Sequence, residues 1–426
     1  MIPEDFKFVA ADGSANDNLA WAVAIDGAIA GVGSRNDNVN GIGSGSAYLF
    51  DASVGTPLAK LVPSDGAAGD NFGYAIAIGG GVVAVGAPFD TTPRGQGAGS
   101  VYLFDASTAA QLAKIIPADG ATGDQFGCAV AISGGQLVVG ARQDSHAVAR
   151  SGSAYVFDIA TRSQVSKLLA SDAAVDDLFG GSVAVSNGVA VVGAALDDDK
   201  GQDSGSAYLF NTTTGVQLVK ILASDGAAQD RFGISVSIGG GYVAAGAAST
   251  LANSLAGAAY TFDAVSGSQL AKVTASDSTP NGNFGRSIAT DAGVVAVGAI
   301  GALQSGVPSG AAYLYDAASG AQLAKLFQTD GAGGDQGGFA VDLDAETIVV
   351  GAIWDDDAGS DSGSAYIFTY RCPADLTDDA LVDTRDLGAF VNLWIARDPI
   401  ADWNADGTIN TLDIIAYLNS WVAGCP

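Results

Sequence analysis

The residues best suited to chemistry in this chain are oxygen ligands in two acidic loops near its C-terminus. In the second loop, positions 1, 3, 5, 9 and 12 of a twelve-residue frame are occupied by Asp402, Asn404, Asp406, Asn410 and Asp413. A glycine stands at position 6, where calcium loops need a sharp turn. We therefore predict a calcium site here, with aspartate instead of glutamate at position 12.

The same spacing occurs 27 residues earlier. Its candidate ligands are Asp375, Thr377, Asp379, Asp383 and Asp386. Ala380 stands where glycine would supply the turn, and a threonine is a weaker ligand than an aspartate, so we expect weaker calcium binding. Apolar residues at helical spacing follow each loop and predict two short helices.

Duplicated loop–helix units of this size resemble dockerin modules, and the resemblance covers residues 372–426. It implies calcium-dependent docking onto a cohesin-like scaffold protein. It also implies that loop positions 10 and 11 contribute to partner choice, and these are Thr384, Arg385, Thr411 and Leu412. The alternative is that the module only stabilises the preceding domain as a calcium-bound helix pair.

The cysteines bear on the compartment. Cys372 and Cys425 bracket the C-terminal module and predict a disulfide, which implies an oxidising environment. Cys128 lies in an apolar stretch and is interpreted as an inert buried thiol.

Two further acidic loops resemble each other in the middle and late parts of the chain. Their candidate metal ligands are Asp197, Asp199 and Asp203, and Asp355, Asp357 and Asp361. Closely spaced carboxylates beside glycine suit a hard cation such as calcium. The alternative is a solvated turn whose aspartates accept hydrogen bonds from backbone N–H groups.

Two tryptophans, Trp21 and Trp354, are candidate ligand anchors. Both stand where one repeat departs from the others, beside small polar residues, as in sugar-binding platforms; packing in the core is the alternative. His146 is the single histidine, so triad chemistry would depend on it alone, and we do not expect it to be catalytic.

The part of the chain before the C-terminal module is a sequence repeat. A tyrosine recurs at intervals of 52 to 54 residues, at Tyr48, Tyr102, Tyr155, Tyr208, Tyr260, Tyr313 and Tyr366. A lysine recurs in the same register, at Lys7, Lys60, Lys114, Lys167, Lys220, Lys272 and Lys325. An aspartate of the Asp65 type recurs in most blades, with this lysine as its candidate partner. Repeats of this length predict a solenoid or a propeller.

Each unit shows four short apolar or alternating stretches bounded by Gly and Asp, which predicts a four-stranded blade. The segment Phe72-Gly73 followed by Gly86-Ala87-Pro88 resembles the FG-GAP repeat of integrin-α-type seven-bladed propellers. We therefore predict a mainly β fold, a seven-bladed propeller over residues 1–371. The chain opens on a fourth strand and its last blade lacks one, so the N-terminal strand is predicted to close the ring. Integrin-type calcium loops are not expected, because the turn at 78–82 is too short.

Composition restricts the partners. The net charge of −28 disfavours nucleic acid. Only Glu4 and Glu346 are glutamates among the 46 acidic residues, as expected of a protein rich in turns. No apolar run is long enough to span a membrane, and the N-terminus lacks a signal-peptide core. We interpret the sequence as a mature secreted chain.

These features favour a secreted, non-enzymatic binding or adhesion protein that recognises a glycan or a surface protein and is anchored by its C-terminal module. One alternative is a polysaccharide-degrading enzyme, with Asp197 and Asp198 as the place to look for paired carboxylates. Another is a self-assembling surface or filament subunit, since the blades are so alike.

Overall fold

The computed structural model describes residues 1–146, 148–248, 256–371, 374–377, 382–404 and 406–423. The chain divides into two compact units, Met1–Phe368 and Thr369–Pro426. No helix among these residues is long and apolar enough to cross a membrane.

The first unit is a propeller of seven antiparallel blades, each built in the order a, b, c, d. Strands a are Leu19–Asp26, Ala75–Gly79, Phe126–Ser133, Ser182–Ser186, Phe232–Gly239, Phe284–Asp291 and Gly337–Asp344. Strands b are Ile29–Ser34, Val82–Ala87, Gln136–Ala141, Val189–Ala194, Tyr242–Ala247, Val294–Ala299 and Thr347–Ala352. Strands c are Ser46–Asp51, Ser100–Asp105, Ser153–Asp158, Ser206–Asn211, Ala258–Asp263, Ala311–Asp316 and Ser364–Thr369. Strands d are Thr56–Leu61, Gln111–Ile115, Gln164–Leu168, Gln217–Ile221, Gln269–Val273, Gln322–Phe327 and, for blade 7, Phe6–Phe8.

The N-terminal strand closes the ring, as predicted. Phe6 pairs with Ile367 and Phe8 with Ala365, so the strand Phe6–Phe8 completes the last blade. A short strand just before it, Ile2–Pro3, adds in parallel to strand d of blade 6. Closure in this way removes the exposed edge that an open array of blades would leave.

Aromatic side chains pack against one another within blades 2 to 6. Phe72, just before strand a of blade 2, contacts the rings of Tyr102 and Phe104 of the same blade, with centroids 5.5 and 5.9 Å apart. The same edge-on arrangement recurs at Phe126, Phe179, Phe232 and Phe284. Strands b and c are buried on both faces along nearly their whole length, as expected for middle strands of blades packed between neighbours.

Neighbouring blades meet at a pair of glycines. A Cβ atom on Gly193 in blade 4 would lie closer than 3.0 Å to the carbonyl oxygen of Gly233 in blade 5. Gly233 has a φ of +83°, the left-handed region that glycine adopts without strain. The same close approach recurs at Gly33/Gly73, Gly86/Gly127, Gly140/Gly180, Gly246/Gly285 and Gly298/Gly338. These glycines let the backbones of adjacent blades touch.

The seven strands a surround a central channel. The channel contains two cavities of about 420 and 240 Å³. A ring of aliphatic side chains lines both cavities and therefore marks the boundary between them. These residues are Val23, Ile76, Val130, Val183, Val236, Ile288 and Val341. The b–c loops and the connections from d to a lie at the larger cavity, and the a–b turns lie at the other end.

The second unit contains two α-helices, α1 (Thr384–Ala396) and α2 (Thr411–Ala423), and a 3₁₀ turn, Pro399–Ala401. Asp383 begins α1 with a capping box, in which its side chain and that of Asp386 accept backbone N–H bonds. Phe390 and Tyr417 stack in the core of this unit with ring centroids 4.1 Å apart. The helices predicted from the apolar spacing are confirmed.

Candidate functional site

One end of the channel departs most from the sevenfold pattern. Two residues beyond the Phe-Gly slot, every blade sends a residue to the wall of the larger cavity. We call this set the channel mouth; it comprises Trp21, Tyr74, Cys128, Gly181, Ile234, Arg286 and Phe339. The bulky members are consecutive in blades 6, 7, 1 and 2, whereas blades 3 to 5 contribute Cys, Gly and Ile. The mouth is therefore open on one side and aromatic on the other.

Three arginines gather at the channel mouth: Arg35, Arg142 and Arg286. The guanidinium carbon of Arg35 lies 3.2 Å from the centre of the Trp21 ring, and that of Arg286 lies 4.4 Å from the centre of the Phe339 ring. Within the described part of the chain, none of the three forms an ion pair with a carboxylate. Burial lowers the pKa of Arg35, and the charges of Arg142 and Arg286 lower it further. The mouth is thus a positive site in a chain of net charge −28.

The structure places the two candidate tryptophans differently. Trp21 is half-buried at the channel mouth, with its ring against Phe339 at a centroid distance of 4.7 Å and Arg35 over one face. Trp354 lies in the b–c loop of blade 7, 44% exposed, and does not line the cavity. The arginines beside Trp21 were missed from the sequence. The sequence offered one indication of them. Arg35 and Arg142 directly follow strand b, at the position that Pro88 occupies in blade 2.

The opposite half of the channel carries an acidic departure from the repeat. Five residues beyond the Phe-Gly slot, five blades have alanine and blade 5 has Ser237, but blade 7 has Asp342. The half-buried Asp342 carboxylate accepts a 2.8 Å hydrogen bond from the backbone N–H of Ile25 in blade 1. Burial, with smaller contributions from Asp344 and Asp291, raises the pKa of Asp342 to about 7. The channel is therefore positive at its mouth and acidic beyond the aliphatic ring.

Replacing Asp342 with asparagine is expected to stabilise the propeller at neutral pH. A carboxyl whose pKa is raised in the folded state holds a proton that the unfolded chain has lost, so wild-type stability falls as pH rises from about 4 to 7. The amide cannot ionise, and its oxygen can still accept the Ile25 bond. Because Asp342 is only half-buried, we expect a gain of about 2 kcal/mol at pH 8 and none at pH 4, measured by urea unfolding. The exposed Asp26→Asn control should show no such difference; equal gains in both variants at pH 8 would contradict the assignment.

The recurrent lysines and tyrosines form one network per blade. In blade 2, Lys114 Nζ lies 2.7 Å from carboxylate oxygens of both Asp65 and Asp90, and the Tyr102 hydroxyl donates to Asp65 at 2.8 Å. The predicted pairing of the Asp65-type residue with the blade lysine is confirmed. It recurs at Lys60–Asp12, Lys167–Asp119, Lys220–Asp172, Lys272–Asp225, Lys325–Asp277 and Lys7–Asp330. Since every blade has it, the network is a structural feature of the repeat.

The two acidic b–c loops belong to the same networks. Asp172, Asp197 and Asp199 come together closely enough to hold a metal ion, and so do Asp330, Asp355 and Asp357. Lys220 Nζ lies 2.7, 2.9 and 2.5 Å from the first three, and Lys7 Nζ contacts the second three in the same way. The ammonium group therefore stands among the carboxylates predicted to bind calcium.

The remaining predicted ligands of these loops lie outside the clusters. The backbone N–H of Asp203 donates to Asp198, and that of Asp361 donates to Asp356, at 2.7 and 2.8 Å. Asp198, considered above as half of a catalytic pair, is thus engaged by the loop backbone. Cys128 is a free, buried thiol whose pKa is raised by burial, in keeping with an inert role.

The repeats match a known family model along the whole propeller. The matching family is described as FG-GAP repeat, and its seven matches are residues 3–50, 56–104, 110–157, 163–210, 216–262, 268–315 and 321–368. The chain belongs to the FG-GAP repeat family. Each FG-GAP match contains strand d of one blade and strands a, b and c of the next, so every repeat joins two blades.

Other comparisons add little to this. No curated protein matches the chain. Among solved structures, the FG-GAP chain is similar to the computationally designed Ika8 protein, with 15% identity and a TM-score of 0.49, covering 86% of this chain and 100% of that one. The FG-GAP matches end at residue 368, so the C-terminal unit lies outside them.

In the C-terminal unit the two acidic loops have the same hydrogen bonds. Asp413 accepts from the backbone N–H groups of Asn404 and Asn410, at 3.2 and 2.7 Å. Asp386, 27 positions earlier, accepts from those of Thr377 and Asp383, at 2.9 and 2.8 Å. Both carboxylates are fully buried, and neither forms an ion pair with another described residue. The loop repeat seen in the sequence is therefore a repeat in structure.

The other predicted residues of this unit range from buried to exposed, and some lie outside the described residues. Asp402 accepts bonds from the backbone N–H groups of Asp406 and Gly407, as expected of a tight loop. Thr384, Arg385, Thr411 and Leu412 lie in the first turns of the two helices, and Leu412 is 56% exposed. Asp379, Cys372 and Cys425 lie outside the described residues, and with them the predicted disulfide.

Proposed function

We propose that this FG-GAP protein is a secreted, non-enzymatic binding protein, whose propeller recognises a glycan at the channel mouth and whose C-terminal unit anchors it to a scaffold protein. The observation that carries this proposal is the channel mouth itself. Scaffold residues repeat around the ring, whereas the mouth collects three arginines and three aromatic rings from different blades. A concave, largely preformed site with a few convergent polar groups is where ligands bind in most proteins.

The chemistry of the mouth favours binding over catalysis. Arginines and aromatic rings hold a ligand by hydrogen bonds and stacking, and the described lining of the larger cavity includes no carboxylate to act as acid or base. The carboxylates of the two acidic clusters elsewhere are each bound to a blade lysine. A polysaccharide hydrolase remains the alternative, and release of reducing ends from a panel of polysaccharides would support it.

A glycan-array screen of the intact chain tests the binding function. We expect a discrete set of bound glycans, and we expect Trp21→Ala to weaken all of them while Trp354→Ala has little effect, because only Trp21 lines the cavity. A blank array in calcium and in chelator would contradict the glycan proposal and direct the search to protein ligands.

The C-terminal unit fits calcium. Asp413 and Asp386 are buried carboxylates whose described partners are N–H and O–H donors, and these bonds favour the ionised form that a cation binds. A divalent ion would be that cation. In the second loop it would be held by Asp402, Asn404, Asp406, Asn410 and Asp413, and in the first by Asp375, Thr377, Asp379, Asp383 and Asp386. The exposed first turns of the helices would then present Thr384, Arg385, Thr411 and Leu412 to a cohesin-like partner.

Changing Asp402 and Asp406 together to alanine is expected to abolish the effect of calcium on this unit. Calcium that binds only the folded unit raises its melting temperature through mass action, so chelator should lower the wild-type transition and leave the variant unchanged. The matched control is Asp5→Ala with Asp26→Ala, which removes the same charge from exposed propeller positions. A wild-type melting curve that is identical in calcium and in chelator would contradict the assignment.

A further inference from the structure

We propose that the ligand of the channel mouth is an acidic sugar, one that carries a carboxylate or a sulfate ester, and that its anionic group binds among Arg35, Arg142 and Arg286. This inference rests on the proposed glycan-binding function and specifies its ligand. The first support is charge. The seven blade lysines are all paired with aspartates, yet these three arginines have no carboxylate partner among the described residues.

The N–H groups of the three guanidinium groups are available to donate hydrogen bonds to a ligand. Neither the Arg35 nor the Arg286 guanidinium donates a hydrogen bond to another described residue, and Arg35 Nε is buried without a partner. Arg142 Nε donates a 2.8 Å hydrogen bond to Gln125 Oε1, which leaves the two terminal nitrogens of Arg142 for a ligand. A guanidinium has five N–H donors in a planar fork that matches carboxylate and sulfate oxygens. Stacking on Trp21 and Phe339 holds two of these forks in place.

Hydroxyl groups next to the arginines favour a sugar. Ser182, Ser235 and Ser287 line the same cavity in three consecutive blades. Each donates to a carbonyl oxygen of the following blade, at 2.8, 2.9 and 2.8 Å, so each oxygen keeps lone pairs that can accept from a ligand hydroxyl. The three lie on the open side or at its border, where Cys128, Gly181 and Ile234 leave room.

The distribution of charge along the channel determines which end of the ligand lies at the arginines. Beyond the aliphatic ring, Asp342 lies in the smaller cavity, with Asp344 and Asp291 near enough to raise its pKa. A second anion would be repelled there, so the acidic group stays at the arginines. The larger cavity, about 420 Å³, is of the size that holds small ligands.

The test compares three oligosaccharides of equal length by calorimetry on the intact chain in chelator: an oligogalacturonate, a sulfated galactan fragment and a neutral galactan fragment. We expect at least one acidic oligosaccharide to bind about tenfold or more tightly than the neutral one, and its affinity to fall with added salt. The Arg142→Gln/Arg286→Gln variant should lose this preference, whereas Arg162→Gln, at an exposed surface position, should keep it.

The outcomes separate the two proposals. Equal affinity for acidic and neutral fragments, or an acidic preference that survives in the double variant, would overturn the acidic-ligand proposal but leave glycan binding standing. Binding of none of the three, together with a blank glycan array, would overturn the proposed function itself. Should the double variant fail to fold, competition by free galacturonate and by galactose sulfate against a bound glycan on the wild-type chain decides, since absence of competition by both counts against the proposal.

Discussion

The Gly193→Ala variant is expected to lose about 3 kcal/mol or more of unfolding free energy. The new methyl group would overlap the carbonyl oxygen of Gly233 in the next blade and the hydroxyl of Ser182. Neither is the end of a long flexible side chain, so relief requires blades 4 and 5 to move apart. In a closed ring such a movement is resisted by every other interface.

Urea unfolding of the intact chain measures this effect, with Gly333→Ala as the control. At Gly333 an added Cβ would meet its nearest atom, Cγ1 of Val307, at an ordinary 3.4 Å, and its φ lies outside the left-handed region. We expect a change within about 0.5 kcal/mol for the control. Similar losses in both variants would show that blade contact is not the cause.

The Lys7→Met variant is expected to lose about 3 to 5 kcal/mol at neutral pH, because it leaves a buried carboxylate without its cation. Lys7 Nζ lies 2.6 Å from Asp330 and 2.9 Å from Asp355, and it also contacts Asp357. Asp355 is 3% exposed. In addition, Lys7 lies on the strand that closes the ring, so its loss also loosens the joint between the first and last blades.

The pH dependence of this loss has a definite sign. Burial alone would raise the pKa of Asp355, but hydrogen bonds from Tyr366 and Lys7 outweigh it and lower the pKa, so this stabilisation is present above the unfolded pKa of about 4 and is lost on acidification. Burial alone would lower the pKa of Lys7, but its three aspartate bonds raise it, so its contribution lasts until alkaline pH. The deficit of the variant should therefore be large at pH 7.5 and smaller at pH 4.

Lys272→Met is the matched control for this experiment. Lys272 has Asp225 as its described partner, and both side chains are about half exposed, at 41% and 53%. An exposed pair of this kind contributes 1 kcal/mol or less. If both lysine variants lost the same stability, the three-carboxylate network would not be the source of the Lys7 effect.

The repeat made most of the propeller predictable. Markers such as Tyr102 and Lys114 occur once per unit, and they pair directly across strands c and d because the period sets the register. Ring closure followed from counting strands at the two ends. Markers of this kind predict only the features that all blades share.

The channel mouth could not be predicted in the same way. Arg35, Arg142 and Arg286 are separated by more than 100 residues each, and they converge only because the ring brings the start of strand a and the end of strand b of different blades to a common axis. The acidic loops illustrate the same limit. Asp197 and Asp199 were interpreted as metal ligands, and nothing in their local sequence shows that Lys220, two strands later, reaches between them.

The closing strand also has a consequence for synthesis. Phe6–Phe8 is synthesised about 360 residues before its partner Ser364–Thr369, and translation adds roughly 5 to 20 residues per second. For tens of seconds the growing chain therefore has an unpaired N-terminal strand and a series of blades that cannot close. The ring can therefore close only after the last blade has been made, and the earlier blades must avoid aggregation until then.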